Sequence, residues 1–174
     1  MKKLITLFFL FIGTSIIGNS QETIKWMSIE EVVEANKVEP KLIFVDVYTN
    51  WCGWCKKMDK ATFKNPKVEA YMSDNYYCVK INAETKDTIN FQGRKFSNPK
   101  PEGQKGVHSL ARALLDGQMS YPKFVVMNSK FERISIVPGY HGPEDFEPIM
   151  KYFGDENYLT SSWDDYKSNF TSSF

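Results

Sequence analysis

Trp51-Cys52-Gly53-Trp54-Cys55 is the stretch whose residue types and spacing point most directly to chemistry. It follows the apolar run Leu42-Ile43-Phe44-Val45-Asp46-Val47-Tyr48, which reads as a strand. It leads straight into Lys56-Lys57-Met58-Asp59-Lys60-Ala61, which reads as a helix. The first turn of a helix carries unpaired N–H groups and the positive end of the macrodipole. A thiolate placed there is stabilised, and its pKa falls from about 8.5 into the range of about 3.5–7.5. Two intervening residues in a helical turn bring the second sulfur to the first, so Cys52 and Cys55 can cycle between dithiol and disulfide. Such a pair needs no cofactor beyond its own redox-active disulfide.

Other chemistries fit the sequence less well. Zinc takes four ligands, and the candidates are Cys52, Cys55, Cys78, His108 and His141, with no histidine near the paired thiols in sequence. No metal site is therefore expected. Cys78 lies inside the strand-like run Tyr76–Asn82 and reads as a small buried hydrophobe rather than a reactive thiol. Asp46 interrupts the apolar run before the cysteines, where a carboxylate is costly unless paired or functional. From the residues alone two readings stay open: a solvated carboxylate at the strand end, or a functional buried acid.

The elements that must position these groups are legible from pattern. Glu22–Trp26 is a short strand candidate. Ser28 and Glu31 form a capping box ahead of the apolar stripe Ile29, Val32 and Val33, and that helix ends near Lys37 because Pro40 disfavours helix before it. Lys41–Tyr48 is apolar enough to be a central strand covered on both faces. Asn65-Pro66 opens a further helix, and Tyr76–Asn82 is the next strand. Residues 84–106 carry Gly93, Pro99, Pro101, Gly103, Gly106 and eight charges, and read as a long surface loop. A helix follows from His108 to Leu115, ending at Gly117. Then come a strand from Pro122 to Met127, a hairpin partner from Glu132 to Val137, and a helix from Pro143 to Phe153 that contains Pro148. In the polar tail 155–174, Trp163, Tyr166 and Phe170 recur at helical spacing and predict a short last helix docked on the body. There is no internal repeat and no sign of a second domain.

The chain has 174 residues, 42% hydrophobic, 25% charged, with a net charge of +1. That is enough for one domain with a real core and gives no reason to expect a nucleic-acid partner. Aromatic residues make up 15%, which is high; most must be core, and some are expected to line a groove. Lys2 and Lys3, the apolar stretch Leu4–Ile17 and the small residues Gly18-Asn19-Ser20 read as a secretory signal cleaved after Ser20. The apolar stretch is shorter than the roughly 20 residues that span a bilayer, which disfavours an uncleaved anchor. Cleavage would remove Lys2 and Lys3 and change the net charge to −1. The expected organisation is thus a signal peptide over 1–20 and one domain over 21–174. The expected location is outside the cytoplasm, in a periplasm, without stable membrane insertion. There a disulfide left alone stays oxidised, so a reductant would need an electron supply, such as a membrane donor, and an oxidant only a re-oxidant.

The order of these elements, Cys52-Gly53-Trp54-Cys55 and a proline opening the next-to-last strand resemble the thioredoxin family. The likeness is strongest to exported thioredoxin-like proteins and to the C-terminal thioredoxin-like domain of the membrane-bound periplasmic thiol reductase. It is carried by Val45 through Met58, by Thr62-Phe63 and by Pro66-Lys67-Val68, and it covers roughly residues 23–153. The resemblance implies an α/β thioredoxin fold, a central mixed sheet flanked by helices, with an insertion after the third strand and an extra C-terminal helix. It also implies roles. Asp46, six residues before Cys52, corresponds to the buried aspartate of thioredoxins, and Lys80 to the lysine beside it. Pro122 corresponds to the cis-proline facing the disulfide, Tyr121 to the residue whose backbone pairs with a bound chain, Gly139 to the glycine that leaves room for a partner, and Trp51 to the tryptophan before the motif. Gly53 and Trp54, between the cysteines, would help to set the reduction potential. Trp54 departs from the proline of thioredoxin itself, and no proline interrupts the active-site helix. The implied activity is thiol–disulfide exchange on disulfide-containing exported proteins, as a reductant, with a disulfide oxidase or isomerase as the alternative. Metal handling or a pure interaction module is the more distant reading. If the strands ending at Tyr48 and Asn82 are parallel, as the resemblance implies, the 84–106 segment opens beside Cys52 and would contribute to partner choice.

Overall fold

A computed structural model describes residues 23–174; the expected signal segment lies outside the described residues. The described chain runs β1 (Trp26–Met27), α1 (Ile29–Val38), β2 (Leu42–Tyr48), α2 (Gly53–Ala61), α3 (Pro66–Asn75), β3 (Tyr76–Asn82), β4 (Ile89–Phe91), β5 (Arg94–Phe96), α4 (Ser109–Leu114), β6 (Lys123–Met127), β7 (Arg133–Pro138) and α5 (Pro143–Gly154). A 3₁₀ turn (Asn157–Leu159) and α6 (Trp163–Asn169) complete it. The main sheet has five strands in the order β1-β3-β2-β6-β7. β1 and β2 run parallel to β3, whereas β6 is antiparallel to β2 and β7 to β6, so the sheet is mixed.

Local signals explain the boundaries. Ser28 and Glu31 close a reciprocal capping box on α1. Asn65 caps α3 and Pro66 opens it. The first strand forms at Trp26–Met27, later than the Glu22–Trp26 stretch expected, because only there does the chain lie beside Cys78 and Val79 of β3.

The period of two in β2 divides the core. Ile43, Val45 and Val47 join Val32 of α1 and Leu110 and Leu114 of α4 on one face. Phe44 joins Met58 of α2, Met72 of α3 and Phe146 of α5 on the other. That second face is built on four phenylalanines. Phe44 stacks on Phe124 at 5.2 Å between ring centroids and meets Phe146 edge-on at 5.7 Å, and Phe63 meets Phe146 at the same distance. Asp46 is two residues beyond Phe44 and so lies on the α2 face.

The 84–106 segment is not the plain surface loop its composition implied. It folds back as the hairpin β4–β5, with Gln92 and Gly93 in left-handed conformations at its tip. Phe91 is buried and packs edge-on against Phe131 at 5.5 Å. The strands are too short, at three residues each, to show alternation above the surrounding Gly, Pro and charge. Asn98 ties the base of the insertion together by donating to the carbonyls of Glu84, Thr85 and Gly106.

The tail docks through Trp163 and Tyr166, both packed on Tyr152 of α5. Beyond α6 the chain closes over Glu147 of α5, which is fully buried. Its carboxylate accepts hydrogen bonds from Lys151, the Ser172 hydroxyl and the backbone and hydroxyl of Ser173. Removing one partner of a buried pair strands the other charge. Glu147→Ala is therefore expected to lower stability by about 3 kcal/mol, measured by urea unfolding.

Candidate active site

The site is built where β2 meets α2. After Tyr48 the chain turns, the Cys52 N–H donating to the Thr49 carbonyl at 3.1 Å. Cys52 is the N-cap of α2, and its Sγ accepts the Cys55 N–H at 3.1 Å. A sulfur thus occupies the place where a capping side-chain oxygen normally sits, at the positive end of the helix. Cys52 and Cys55 form a disulfide with S–S 2.05 Å. Both are buried, at 5% and 3% exposure, while Trp51 and Trp54 beside them are 67% and 56% exposed.

Antiparallel pairing of β2 with β6 sets Val47 opposite Lys123, which places Pro122 at the same sheet edge as the disulfide. The Tyr121–Pro122 peptide is cis. The Gly139 N–H donates to the Pro122 carbonyl at 2.9 Å. Gly139 has φ +91°, which disfavours any side chain, and nothing lies within 4 Å of where a Cβ would stand. Trp51, Gly53, Trp54, Tyr121, Pro122 and Gly139 are thus gathered around Cys52 and Cys55 at one end of the sheet.

Beneath them lies a charged cluster. Asp46 is buried and accepts from Lys80 Nζ at 2.9 Å, the two being direct neighbours in the β2–β3 register. Lys80 also pairs with Asp59. Asp59 lies four residues after Cys55 on α2, so the two share a helix face. Asp46 is therefore held against the face that carries Cys55. The Lys80 ammonium sits over the rings of Trp26 and Tyr48, at 4.8 and 5.0 Å. Burial pushes the Asp46 carboxyl from 3.8 up to about 6, against the opposing pull of Lys80 and with a smaller push from Asp59. Burial works against the Lys80 charge, but Asp46 and Asp59 outweigh it and hold its pKa above the ordinary value. Asp46 is thus neither at a solvated strand end nor unpaired.

Cys78 is buried, and burial, with a contribution from Asp46, pushes its thiol well above the ordinary range. His108 caps α4 by accepting from the Leu110 N–H and faces the Asp87 carbonyl. No group of metal-binding side chains occurs among the described residues.

Four residues absent from the sequence reading belong to the site. Asp59 was detectable only through its spacing from Cys55. Lys57 stands three residues after Trp54 and lies over its ring at 4.8 Å and over Tyr140 at 4.9 Å. Glu84 accepts the Trp51 indole N–H at 3.0 Å, and no local pattern announces that contact across the sheet.

The family model Thioredox_DsbH, described as a protein of unknown function, DUF255, matches residues 15–97. The thiol:disulfide interchange protein DsbD of Photorhabdus laumondii subsp. laumondii is 30% identical over 70 residues, covering 37% of this chain and 12% of its own length. The chain therefore spans only a small part of that relative. Among solved structures, a DsbH oxidoreductase superposes with TM-score 0.55 at 18% identity, over 86% of this chain and 95% of its own. A disulphide-isomerase candidate from Bacteroides thetaiotaomicron superposes with TM-score 0.53 at 26% identity, over 81% and 98%. The fold is the thioredoxin fold. Within that fold the chain carries a disulfide-bonded Cys-x-x-Cys pair at Cys52 and Cys55.

The raised Asp46 pKa has a thermodynamic sign. The folded carboxyl binds its proton more tightly than the unfolded one, so its contribution favours folding below about pH 4. That contribution is lost as pH rises through about 6. Asp46→Asn, which leaves Lys80 paired with Asp59, is expected to stabilise the oxidised protein at pH 7.5 by about 2–3 kcal/mol. Near pH 4 the gain should vanish. Urea unfolding at the two pH values measures the difference; equal gains at both would contradict the assignment.

Proposed function

We propose that this protein carries out thiol–disulfide exchange on disulfides of exported partner proteins, working as a reductant. The observation that carries the reading is a sulfur in the N-cap position of α2, accepting the Cys55 N–H, above a buried acid on the Cys55 side of the helix. In the reduced protein the Cys52 thiolate attacks a partner disulfide. A Cys52–partner bond forms and the partner's other sulfur leaves as a thiolate. Cys55 gives its proton to Asp46, directly or through water, and its thiolate attacks the Cys52 sulfur. The intrachain disulfide returns and the partner leaves with both sulfurs reduced, having gained two electrons and two protons. Tyr121 and Pro122 would offer backbone to the partner as an extended chain, with Gly139 leaving space.

Charge supports this direction. A buried carboxylate near the pair disfavours a second negative charge on Cys55, which favours the disulfide and makes the dithiol a stronger donor. The opposite reading, an oxidase or isomerase, is favoured by the first turn of α2, which has no acidic residue and is followed by exposed Lys56 and Lys57. Those lysines are screened by solvent, whereas Asp46 is not. Sustained reduction outside the cytoplasm requires a dithiol donor at the membrane. Among the described residues no helix is long and apolar enough to cross a membrane.

The equilibrium reduction potential of Cys52–Cys55 in graded thiol buffers tests the direction. A value at or below about −250 mV is expected, and one of about −120 to −180 mV would assign an oxidant or isomerase. Absence of a reversible two-electron couple would overturn thiol exchange altogether. Cys55→Ser should accumulate mixed disulfides on Cys52, seen as partner bands lost on reduction, and Cys52→Ser should show none.

A further inference from the structure

The rim of the disulfide carries two fixed charges of opposite sign on opposite flanks. The sheet order puts β3 on one side of the β2–β6 pair and β7 on the other. Glu84 follows the end of β3. Its backbone N–H donates to Asn82 Oδ1, its carbonyl accepts from Asn98, and its carboxylate holds the Trp51 indole. Trp51 in turn meets Tyr121 edge-on at 5.9 Å. The Glu84 carboxylate also pushes the Tyr121 hydroxyl pKa up, after burial, as a nearby negative charge should.

Tyr140 follows the end of β7, which pairs with the start of β6 through Pro138 and Lys123. It packs on Trp54 at 5.2 Å between centroids, and the Lys57 ammonium lies over both rings. Lys57 is exposed and makes no ion pair with a carboxylate among the described residues. Two aromatic faces hold a cation in place without neutralising it, so its field is free to act on a partner. The disulfide thus sits between an aromatic wall that ends in a carboxylate and one that ends in an ammonium.

We propose that this polarised rim reads charge on the partner chain: Lys57 favours an acidic side chain on the Trp54 side of the partner's reacting cysteine, and Glu84 disfavours one on the Trp51 side. The proposal rests on the exchange reading above. An extended chain crossing the sulfurs in one direction places the residues before and after its cysteine on different walls. One acid placed before or after the cysteine is therefore distinguished by position alone. Exposed charge pairs are weak, so attraction on one wall and repulsion on the other together give roughly fivefold discrimination at low salt.

Two neutral peptides carrying a cysteine as its thionitrobenzoate mixed disulfide provide the test. One has a single Glu on the N-terminal side of the cysteine, the other on the C-terminal side. The protein is pre-reduced and desalted, and release of thionitrobenzoate is followed by absorbance. The native protein should prefer one peptide roughly fivefold, and the preference should fall below about twofold at high salt or in Lys57→Met. Glu84→Gln should reduce it in part. Taking the ratio of the two peptides removes any effect of Lys57 on the Cys52 thiolate itself, since that affects both equally. Equal rates with both peptides in the native protein, or a preference that survives Lys57→Met, would overturn the proposal while leaving exchange intact. Failure of the native protein to react with either peptide would instead overturn the exchange reading, and the rim proposal with it.

Discussion

A carboxylate buried under a redox helix is tolerable only because Lys80 meets it, and much of the site is arranged around that contact. Taking an ion out of water costs several kcal/mol, and a lone Asp46 would take up a proton and remain neutral. Lys80 lies opposite Asp46 in the parallel β2–β3 register, at a distance of 2.9 Å. Its side chain keeps 22% exposure, so one member of the pair stays partly hydrated and the desolvation penalty falls mainly on Asp46. The balance leaves the carboxyl near about 6, close enough to neutrality to take and give a proton. Asp59 extends the contact to α2. The helix that carries Cys55 is thereby linked electrostatically to the strand that carries the acid.

This arrangement needs a rigid frame, and the aromatic side of the core supplies it. Phe44 precedes Asp46 on the same face of β2, and its contacts with Phe124 and Phe146 fix the strand from which the carboxylate projects. Phe63, just past the end of α2, packs on the same rings and lies near the Lys80 ammonium. Hydrophobic packing and the ion pair thus hold the same two elements, β2 and α2, at one spacing. A truncated ring there would loosen the acid's position as well as leave a cavity.

The main strands and helices were legible because each carries a local signal. β3 begins and ends where its apolar run does. α1 and α3 start at Ser28 and Asn65, where a side chain can accept a helix N–H. The cysteine pair was legible because its chemistry depends on spacing alone. The residues that frame it were harder to find. Glu84 is separated from Trp51 by 33 positions, and Tyr140 meets Trp54 only because β7 returns to the same sheet edge. Such contacts are made by topology, and no window along the chain contains both partners. The insertion hid its hairpin for a different reason. Phe91 is buried by Phe131, outside the segment, so the hydrophobic contact that orders β4–β5 is invisible when residues 84–106 are read by themselves.

Trp54 links these levels. In place of a rigid proline between the cysteines, the chain has a large ring that bends toward Tyr140 and holds Lys57 above it. A proline there would offer neither the ring face nor a helix N–H at that position. At that position the chain thus has a ring that holds a surface cation, where a proline would stiffen the backbone and remove a donor. A buried acid, Asp46, and an exposed cation, Lys57, thus carry charges of opposite sign in this part of the molecule. Burial decides their relative weight, because solvent screens Lys57 and spares Asp46. The inner charge lies buried beneath the helix that carries Cys55, and the outer one stays exposed to whatever approaches the disulfide.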